Sequence, residues 1–330
     1  MPSRSRPYLS SHQGGAAIIT AMLVVALAAT IVSTLYARQN VAIRSIENRL
    51  NLSQARWIER AATDWAKVIL RDDKRRAGSI DHRGETWAVK VDQTKVDETI
   101  TAGGKIDSNN SRALLEGGME DAQGYYNLAN LQLDGKIEPT ELDALRRLLQ
   151  LLNLPPQLAD SVAQAVVDKL PRDREGKSVT GGQAAEQLAF KRVADLIAVA
   201  GFDQSIIRVL ADHVVILPRR TTVNINTATP EVLAATLSAS NPTTGAAAPN
   251  FDLPRARAAA DQAVATPFSS VEDFRRRIGL NDLLPATRFD VKTNYFLLKG
   301  VVRYDRIVSR SATLFDRSGN LTEVVWQDRY

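Results

Sequence analysis

Four acidic residues around a glycine-containing loop are the first candidates for chemistry. They are Asp168, Asp173, Glu175 and Glu186. Carboxylate oxygens at irregular spacing can hold Ca²⁺, so this loop is the one candidate metal site. A charged, solvated loop has the same composition, and we favour that interpretation. We expect no required cofactor.

The chain offers few residues for other kinds of catalytic chemistry. The chain has no cysteine, which excludes thiolate nucleophiles, cysteine-ligated zinc and disulfides. Its three histidines, at positions 12, 82 and 213, are scattered, and no two share a helical face. Without a convergent nucleophile and base, we predict that the protein is not an enzyme. A membrane-anchored hydrolase with an unrecognised site is the alternative.

A second pattern bears on nucleic acid. Thr221–Thr236, which reads TTVNINTATPEVLAAT, resembles the opening of helix-hairpin-helix domains, and Phe268–Arg277 resembles a later helix of that module. Asn226 or Thr227 is expected to cap the helix that begins near Pro230. The hairpin that presents backbone amides to phosphate in DNA-binding members is absent, so no nucleic-acid partner is expected. A membrane-anchored DNA-binding protein of competence type remains the alternative.

The elements that must position such residues begin with an apolar segment. Ala16 to Ala37 contains no charged residue and forms roughly 33 Å of helix, enough to cross a bilayer. The helical pattern then continues to about Arg71, with apolar positions spaced by three, four and seven. Ile46, Leu50, Trp57 and Trp65 belong to this continuation. They are expected either to pack against partner helices or to cover the protein's own sheet.

The remaining chain predicts an α+β fold. Short strands are expected at Trp87–Val91 and near Tyr125, and helices from about Pro139 to Leu284, including one at Ala184–Ala200. Three alternating segments at the C-terminus indicate an antiparallel meander. Because two isolated strands are unstable, we expect them to pair with this meander, which makes the all-α block an insertion in one sheet covered by the long helix.

Several segments together resemble the K-type minor pseudopilins of type II secretion systems, in the order of that family and over nearly the whole chain. They read GAAIITAMLVVALA, WIERAATDWAKVIL, EDAQGYYNLANL, VNINTATPEVLA, SSVEDF and VKTNYFLL. The resemblance implies a leader that a prepilin peptidase cuts between Gly15 and Ala16, with Gly14 as an alternative cut site. The resemblance implies Ca²⁺ binding for some relatives. The matching region of this chain lacks their tryptophan and part of their acidic cluster.

The same resemblance makes Thr20 the fifth mature residue, where most pilin-like proteins carry glutamate. A carboxylate in lipid is costly unless it is paired, and a subunit with no neighbour ahead has no ammonium group to pair with it. Thr20 can instead bond back to its own helix. We therefore expect this subunit at the tip of a pseudopilus, where it nucleates fibre assembly for export of folded periplasmic proteins.

The implied partners are the I-type and J-type minor pseudopilins, with the H-type as a further one, the prepilin peptidase, the inner-membrane secretion platform and the lipid bilayer. The implied location is the Gram-negative inner membrane, crossed once, with a cytoplasmic leader and a periplasmic body. The expected domains are a leader (1–15), the N-terminal helix (16–71), a first β part (72–135), the inserted helical domain (136–285) and the C-terminal meander (286–330).

Overall fold

The computed structural model describes residues 14–76, 80–96, 113–169, 190–240, 251–280 and 288–330. Its longest element is helix α1, Gly14–Arg76, with 63 residues, or about 95 Å of helix. It extends five residues beyond the predicted end at Arg71. Its last turn contains Lys74, Arg75 and Arg76, whose positive charges interact favourably with the negative end of the helix dipole.

One antiparallel sheet of five strands forms the body beside α1. Its strands are β1 (Val91–Val96), β2 (Ala113–Asp121), β9 (Tyr295–Tyr304), β10 (Ile307–Asp316) and β11 (Glu323–Arg329), and they lie in the order β1-β2-β9-β10-β11. The predicted three-stranded meander is therefore confirmed as β9 to β11. Strand β2 pairs with β9 although the whole helical block lies between them in sequence.

Helix α1 covers one face of this sheet along its last third. Ala66 and Leu70 join a buried cluster with Trp87, Phe296 and Phe315. Nearer the middle of the helix, Ala55 packs in a second cluster with residues of β2 and β9. The alanines allow the helix to lie close to the sheet, and the aromatic rings fill the space between the two layers.

A helical block with its own core lies between β2 and β9. Its helices are α2 (Pro139–Leu151), α3 (Leu158–Lys169), α4 (Gln204–Leu210), α5 (Pro230–Leu237), α6 (Leu253–Ala265) and α7 (Val271–Arg277). Three short strand pairs border it: β3 (Tyr126–Asn127) with β6 (Val214–Val215), β4 (Gln132–Leu133) with β5 (Lys136–Ile137), and β7 (Val223–Asn224) with β8 (Phe289–Asp290). The predicted α+β fold, a long helix on an antiparallel sheet with an inserted helical block, is thus confirmed, while the exact domain boundaries stay predictions.

The orientation of the block follows from the strand register. Ala113 of β2 lies opposite Tyr304, at the hairpin that contacts the middle of α1 through Asn51 and Asp305. Asp121, at the other end of β2, lies opposite Phe296, near the C-terminal end of α1. The block therefore joins the sheet at the end farthest from the apolar half of α1.

Two local predictions were wrong. Trp87 lies in a 3₁₀ turn at Thr86–Ala88, and the strand begins only at Val91. The strand at Tyr126–Asn127 pairs with Val214–Val215 rather than with the meander. The sheet partner of β9 is instead Ala113–Asp121, a segment whose two glycines favoured a turn in the sequence.

One predicted helix is only partly described. Of Ala184–Ala200, residues 184–189 lie outside the described residues, and Val193–Ala198 forms a 3₁₀ helix rather than an α-helix.

Candidate functional site

The N-terminal half of α1 has the properties of a membrane anchor. It is long and apolar enough to span a bilayer, and no side chain of its most apolar window is buried by the rest of the described chain. Ile18, Leu27 and Ile31 are among its exposed large apolar residues. The predicted cleavage residues Gly14, Gly15 and Ala16 lie in the first turn of α1, and the cleavage itself stays a prediction.

Hydroxyl groups in the apolar segment bond to their own helix. The Thr20 hydroxyl donates to the carbonyl of Ala17 at 2.9 Å, which confirms the expected back-bond. Thr30 and Thr34 make the same kind of bond three residues back, at 2.7 and 2.8 Å. These bonds spare the hydroxyl groups an uncompensated transfer into lipid. The proposed link between Thr20 and the tip position stays a prediction.

Two opposite faces of α1 differ sharply in burial. Ala55, Glu59, Ala66 and Leu70 face the sheet and are 0–3% exposed. The four predicted interface residues do the reverse: Ile46 is 58% exposed, Leu50 60%, Trp57 59% and Trp65 57%.

The exposed apolar residues form a stripe. At 100° per residue, the positions of Ile43, Ile46, Leu50, Trp57 and Val68 fall within about 60° of one another, opposite the sheet-facing residues. Trp65 lies beside the stripe, at the rim of the groove between α1 and the sheet. Ile46, Leu50 and Trp57 lie exposed on the side of α1 away from the sheet, whereas Trp65 borders the groove beside the sheet. Contact of these residues with partner helices stays a prediction.

A buried glutamate fixes the rotation of α1. Glu59 is 3% exposed and accepts hydrogen bonds from Arg329 Nε of β11, at 2.6 Å, and from the Ser309 hydroxyl of β10. A charge within the sheet-facing positions of a helix is a signal that sequence reasoning could have used. Its consequence is that the apolar stripe must face away from the sheet.

The C-terminal end of α1 is held by a buried ionic cluster. Asp73, Asp81 and Glu85 place carboxylate oxygens within 4.8 Å of one another, which is compatible with a metal ion. The guanidinium group of Arg317 fills that position: it pairs with Asp73 and with Asp81 and donates to the Thr293 carbonyl at 3.0 Å. The cluster is therefore an ionic link between α1, the segment between α1 and β1 that contains Asp81 and Glu85, and the β10–β11 turn.

The ionic cluster brings three carboxylate groups close to the Arg317 guanidinium group, which affects the pKa of Asp73. Burial, followed by the nearby Glu85 carboxylate, raises the pKa of Asp73, while Arg317 opposes the rise. The Arg317 guanidinium also lies 4.5 Å from the centre of the Phe296 ring. Sequence reasoning missed Arg317 because its segment, DRSGN, is typical of a turn and its acidic partners are far away in the chain.

A second buried network joins the sheet to the helical block. The Asp121 carboxylate, at the end of β2, accepts hydrogen bonds from Asn224 Nδ2 at 2.7 Å, the Thr227 hydroxyl at 2.6 Å and the Gln123 amide at 2.7 Å. Asn224 Nδ2 also donates to the Asp81 carbonyl, which connects this network to the ionic cluster. Burial raises the pKa of Asp121 to about 6, against the lowering effect of hydrogen bonds from Thr227, Thr293, Asn224 and the Gln123 amide.

The N-terminal cap that we predicted for the helix beginning at Pro230 was wrong. The cap of α5 is Thr229, whose hydroxyl accepts from the Val232 amide, and neither Asn226 nor Thr227. Asn226 instead exchanges two hydrogen bonds with the backbone of Phe268, and Thr227 binds Asp121. Asn226 and Thr227 thus join segments of the chain rather than start a helix.

The arginines of α7 are engaged locally. Arg275 pairs with Glu272, while Arg276 and Arg277 pair with Asp273. Each of these three arginines therefore pairs with an acidic residue of its own helix.

The calcium candidates are only partly described. Asp168 is exposed near the end of α3, and its carboxylate accepts from Gln164 Nε2 at 2.8 Å. Asp173, Glu175 and Glu186 lie outside the described residues. Calcium binding at this loop stays a prediction.

A membrane-anchoring helix that continues onto an antiparallel sheet defines a pilin-like subunit, here with a helical block added at its far end. The family model described as type II secretion system (T2SS), protein K, matches residues 124–219. The type II secretion system protein K of Pseudomonas aeruginosa is 30% identical over 239 residues, which cover 68% of this chain and 68% of that protein. The chain belongs to the type II secretion system protein K family, the K-type minor pseudopilins.

More distant relatives and one solved structure agree. The protein K of Pectobacterium carotovorum is 26% identical over 67% of this chain and 68% of that protein. That of Dickeya chrysanthemi is 24% identical over 67% of this chain and 71% of that protein. A chain in the crystal structure of the GspK-GspI-GspJ complex from enterotoxigenic Escherichia coli has a TM-score of 0.60 and 19% identity, covering 86% of this chain and 98% of that chain. This last similarity establishes the fold.

Proposed function

We propose that this subunit occupies the tip of the type II secretion pseudopilus and nucleates its assembly with the other minor pseudopilins. The observation that carries the proposal is the apolar stripe of α1. Leu50 and Trp57 are exposed, continue the apolar segment beyond its end and face away from the sheet. Large exposed apolar stripes on a helix are typical of surfaces that pack against other helices.

The partners we propose are the I-type and J-type minor pseudopilins, with the H-type as a further one. The similar Escherichia coli chain was crystallised in a complex with GspI and GspJ, which supports the first two. A helix from each partner, laid along the stripe, would bury Ile46, Leu50 and Trp57 and form the core of the fibre.

The position of the helical block supports a place at the tip. The block joins the sheet at Asp121 and Tyr295, the end farthest from the apolar half of α1. In a fibre whose helices run parallel to its axis, this end points forward, so the block obstructs the place that a following pilin-like subunit would need. Thr20 adds a second reason, since it requires no neighbouring ammonium group within the lipid.

Processing and location follow from the same proposal. A prepilin peptidase would cut before Ala16, and the inner-membrane secretion platform would then extract α1 from the bilayer. The body would lie in the periplasm and serve the export of folded proteins across the outer membrane. Intact-mass analysis from cells with and without the peptidase tests this: a mature start other than Ala16 would contradict it.

The stripe is tested with a double variant, Leu50→Ser with Trp57→Ser, in the full chain co-expressed with the I-type and J-type partners. We expect the variant to lose co-purification with both partners in mild detergent, and secretion to fail. Its melting temperature should be unchanged, because both side chains are exposed in the single chain. The control Val264→Ser, which removes a 64% exposed apolar side chain from α6, should retain both partners.

The outcomes separate clearly. Retained co-purification of the double variant would remove the stripe as the assembly surface. For the tip itself, immunogold labelling of assembled fibres should place this subunit at one end only. Label distributed along the fibre would overturn that part of the proposal.

A further inference from the structure

An open notch lies between α1 and the hairpin that joins β9 to β10. Along α1 the contact with the sheet begins at Asn51, whose side chain bonds to Asp305 at 3.2 Å. The described residues leave the preceding turns of the helix exposed. The notch has a volume of about 630 Å³. Its lining consists of Asn40, Val41, Arg44, Ser45, Asn48, Arg49, Leu52 and Ile307.

The notch begins where the apolar segment ends. From Ala37, the last residue of that segment, Asn40 is about 5 Å farther along the helix axis and Arg44 about 10 Å. The headgroup region of a bilayer adds roughly 5–7 Å outside each side of its hydrocarbon core. Helical side chains lean toward the helix N-terminus, which here is toward the membrane. The guanidinium group of Arg44 therefore reaches the headgroup region, and Arg49 approaches it when the helix tilts.

The lining has the donors that a phosphate group needs. Arg44 and Arg49 offer guanidinium groups, and Asn40, Ser45 and Asn48 offer amide and hydroxyl donors. Among the residues that the structure describes, no acidic side chain lines the notch. Within the described residues, the ion pair of Arg44 is with Glu47, at 3.0 Å; both side chains are half exposed or more, so this pair is weak.

Two further features point to a lipid rather than to a free ion. Arg49 makes no ion pair or side-chain hydrogen bond within the part of the chain that the structure describes. Val41, Leu52 and Ile307 add an apolar wall beside the charged groups. A site with cationic donors, an apolar wall and a bilayer at its mouth matches the headgroup and glycerol region of an anionic phospholipid.

We propose that this notch binds the phosphate group of an anionic phospholipid in the leaflet from which α1 emerges. The proposal rests on the proposed function in one respect, namely that α1 spans the membrane before assembly. The bound lipid holds the body close to the bilayer surface. It also gives a role to arginines that follow the span on the side where positive charge is normally rare.

The test uses the full chain in mild detergent with equal amounts of phosphatidylglycerol and phosphatidylcholine, and native mass spectrometry counts the lipids that remain bound. We expect preferential retention of phosphatidylglycerol. The variant Arg44→Gln with Arg49→Gln should weaken this retention about tenfold or more, since each arginine near an anionic surface contributes substantially. The matched control Arg56→Gln with Arg60→Gln removes the same charge from the same helix outside the notch and should behave like the wild type.

Three results would overturn the proposal. The first is equal retention of both lipids by the wild type. The second is an equal loss in the two double variants, which would indicate a diffuse charge effect or a surface suited to an acidic protein partner. The third is displacement of phosphatidylglycerol by inorganic phosphate at equal concentration, which would indicate a site for free anions.

A failure here leaves the proposed function intact, because the Arg44→Gln, Arg49→Gln chain can still be assayed for co-purification with its partners. Conversely, partner co-purification by the Leu50→Ser, Trp57→Ser chain would defeat the proposed assembly surface without changing lipid retention. The melting temperatures of both arginine variants should match that of the wild type, since the substituted side chains are exposed.

Discussion

The Thr227 hydroxyl donates a 2.6 Å hydrogen bond to the Asp121 carboxylate, across the junction between the sheet and the helical block. Asp121 is the last residue of β2, and Thr227 precedes helix α5. Both side chains are buried, so this contact cannot be replaced by water without opening the junction. The orientation of the block therefore depends on a titratable group.

Asp121→Asn should change how stability depends on pH. The folded-state pKa of Asp121 is raised to about 6, so its contribution to stability is fully present below the unfolded value near 4 and is lost as the pH rises through 6. Between pH 7 and pH 4.5 the wild type should gain about 2 kcal/mol from this group. The variant should lack that gain.

The measurement is urea unfolding of the full chain in detergent at several pH values, for wild type and Asp121→Asn in parallel. Asp73, whose pKa is also raised, contributes a slope of the same sign to both proteins and cancels in the difference. Parallel pH profiles for the two proteins would contradict the prediction.

Arg317→Met should be strongly destabilising. The substitution leaves the buried carboxylates of Asp73 and Asp81 without their cation, and breaking a buried ion pair by removing one partner costs about 3–5 kcal/mol. Arg276→Met is the matched control: its guanidinium side chain is 74% exposed, and its pair with Asp273 should contribute no more than about 1 kcal/mol. Similar free energies of unfolding for the two variants would show that the buried cluster adds no stability.

Gly117→Ala should disturb the pairing of β2 with β9. A Cβ atom at Gly117 would lie 2.3 Å from the Lys299 carbonyl oxygen, a distance that forces the two strands apart. Gly300 lies opposite Gly117 in the register, and a Cβ atom there would meet nothing closer than 3.8 Å. We expect a loss of about 2 kcal/mol or more for Gly117→Ala and less than about 1 kcal/mol for Gly300→Ala, by thermal unfolding. A reversed order would refute the close approach.

Asn226→Ala should loosen the helical block without touching the sheet. Asn226 accepts from the Phe268 amide at 2.8 Å and donates to its carbonyl at 3.0 Å, and all these groups are buried. Their loss should cost about 2–3 kcal/mol, because a buried backbone amide and carbonyl are left without partners. Asn51→Ala, which removes a more exposed bond to Asp305, should cost less than about 1 kcal/mol. Amide hydrogen exchange at Phe268 should accelerate only in the first variant.

The sequence was most informative where local pattern and tertiary role coincide. The length of α1 and the C-terminal meander could be predicted from the periodicity of apolar residues. One long helix and three strands adjacent in sequence can be recognised without knowing contacts between distant parts of the chain. Strand β2 was missed because Gly117 and Gly118 are typical of a turn. They are tolerated in a strand here, and at Gly117 the close Lys299 carbonyl leaves no room for a side chain.

The buried networks could not have been predicted in the same way. Arg317 meets Asp73 and Asp81 only after β10 and α1 have come together, and no spacing in the chain records that meeting. Asn226 shows the opposite difficulty: its local context favoured a helix cap, but the backbone of Phe268 offered it two buried bonds instead. Exposure of Leu50 and Trp57 was likewise undecided until the sheet was seen to occupy the other side of α1.

The position of the helical block between β2 and β9 sets the timing of folding. During synthesis β2 is made first, and its neighbour β9 follows only after the entire block. Closing so long a loop is entropically costly and slow. Until β9 arrives, the edge of β2 that pairs with it in the folded sheet stays open. The newly made chain therefore needs either rapid folding of the block, which brings Asp121 and Tyr295 together, or a chaperone that shields β2 until the C-terminus is available.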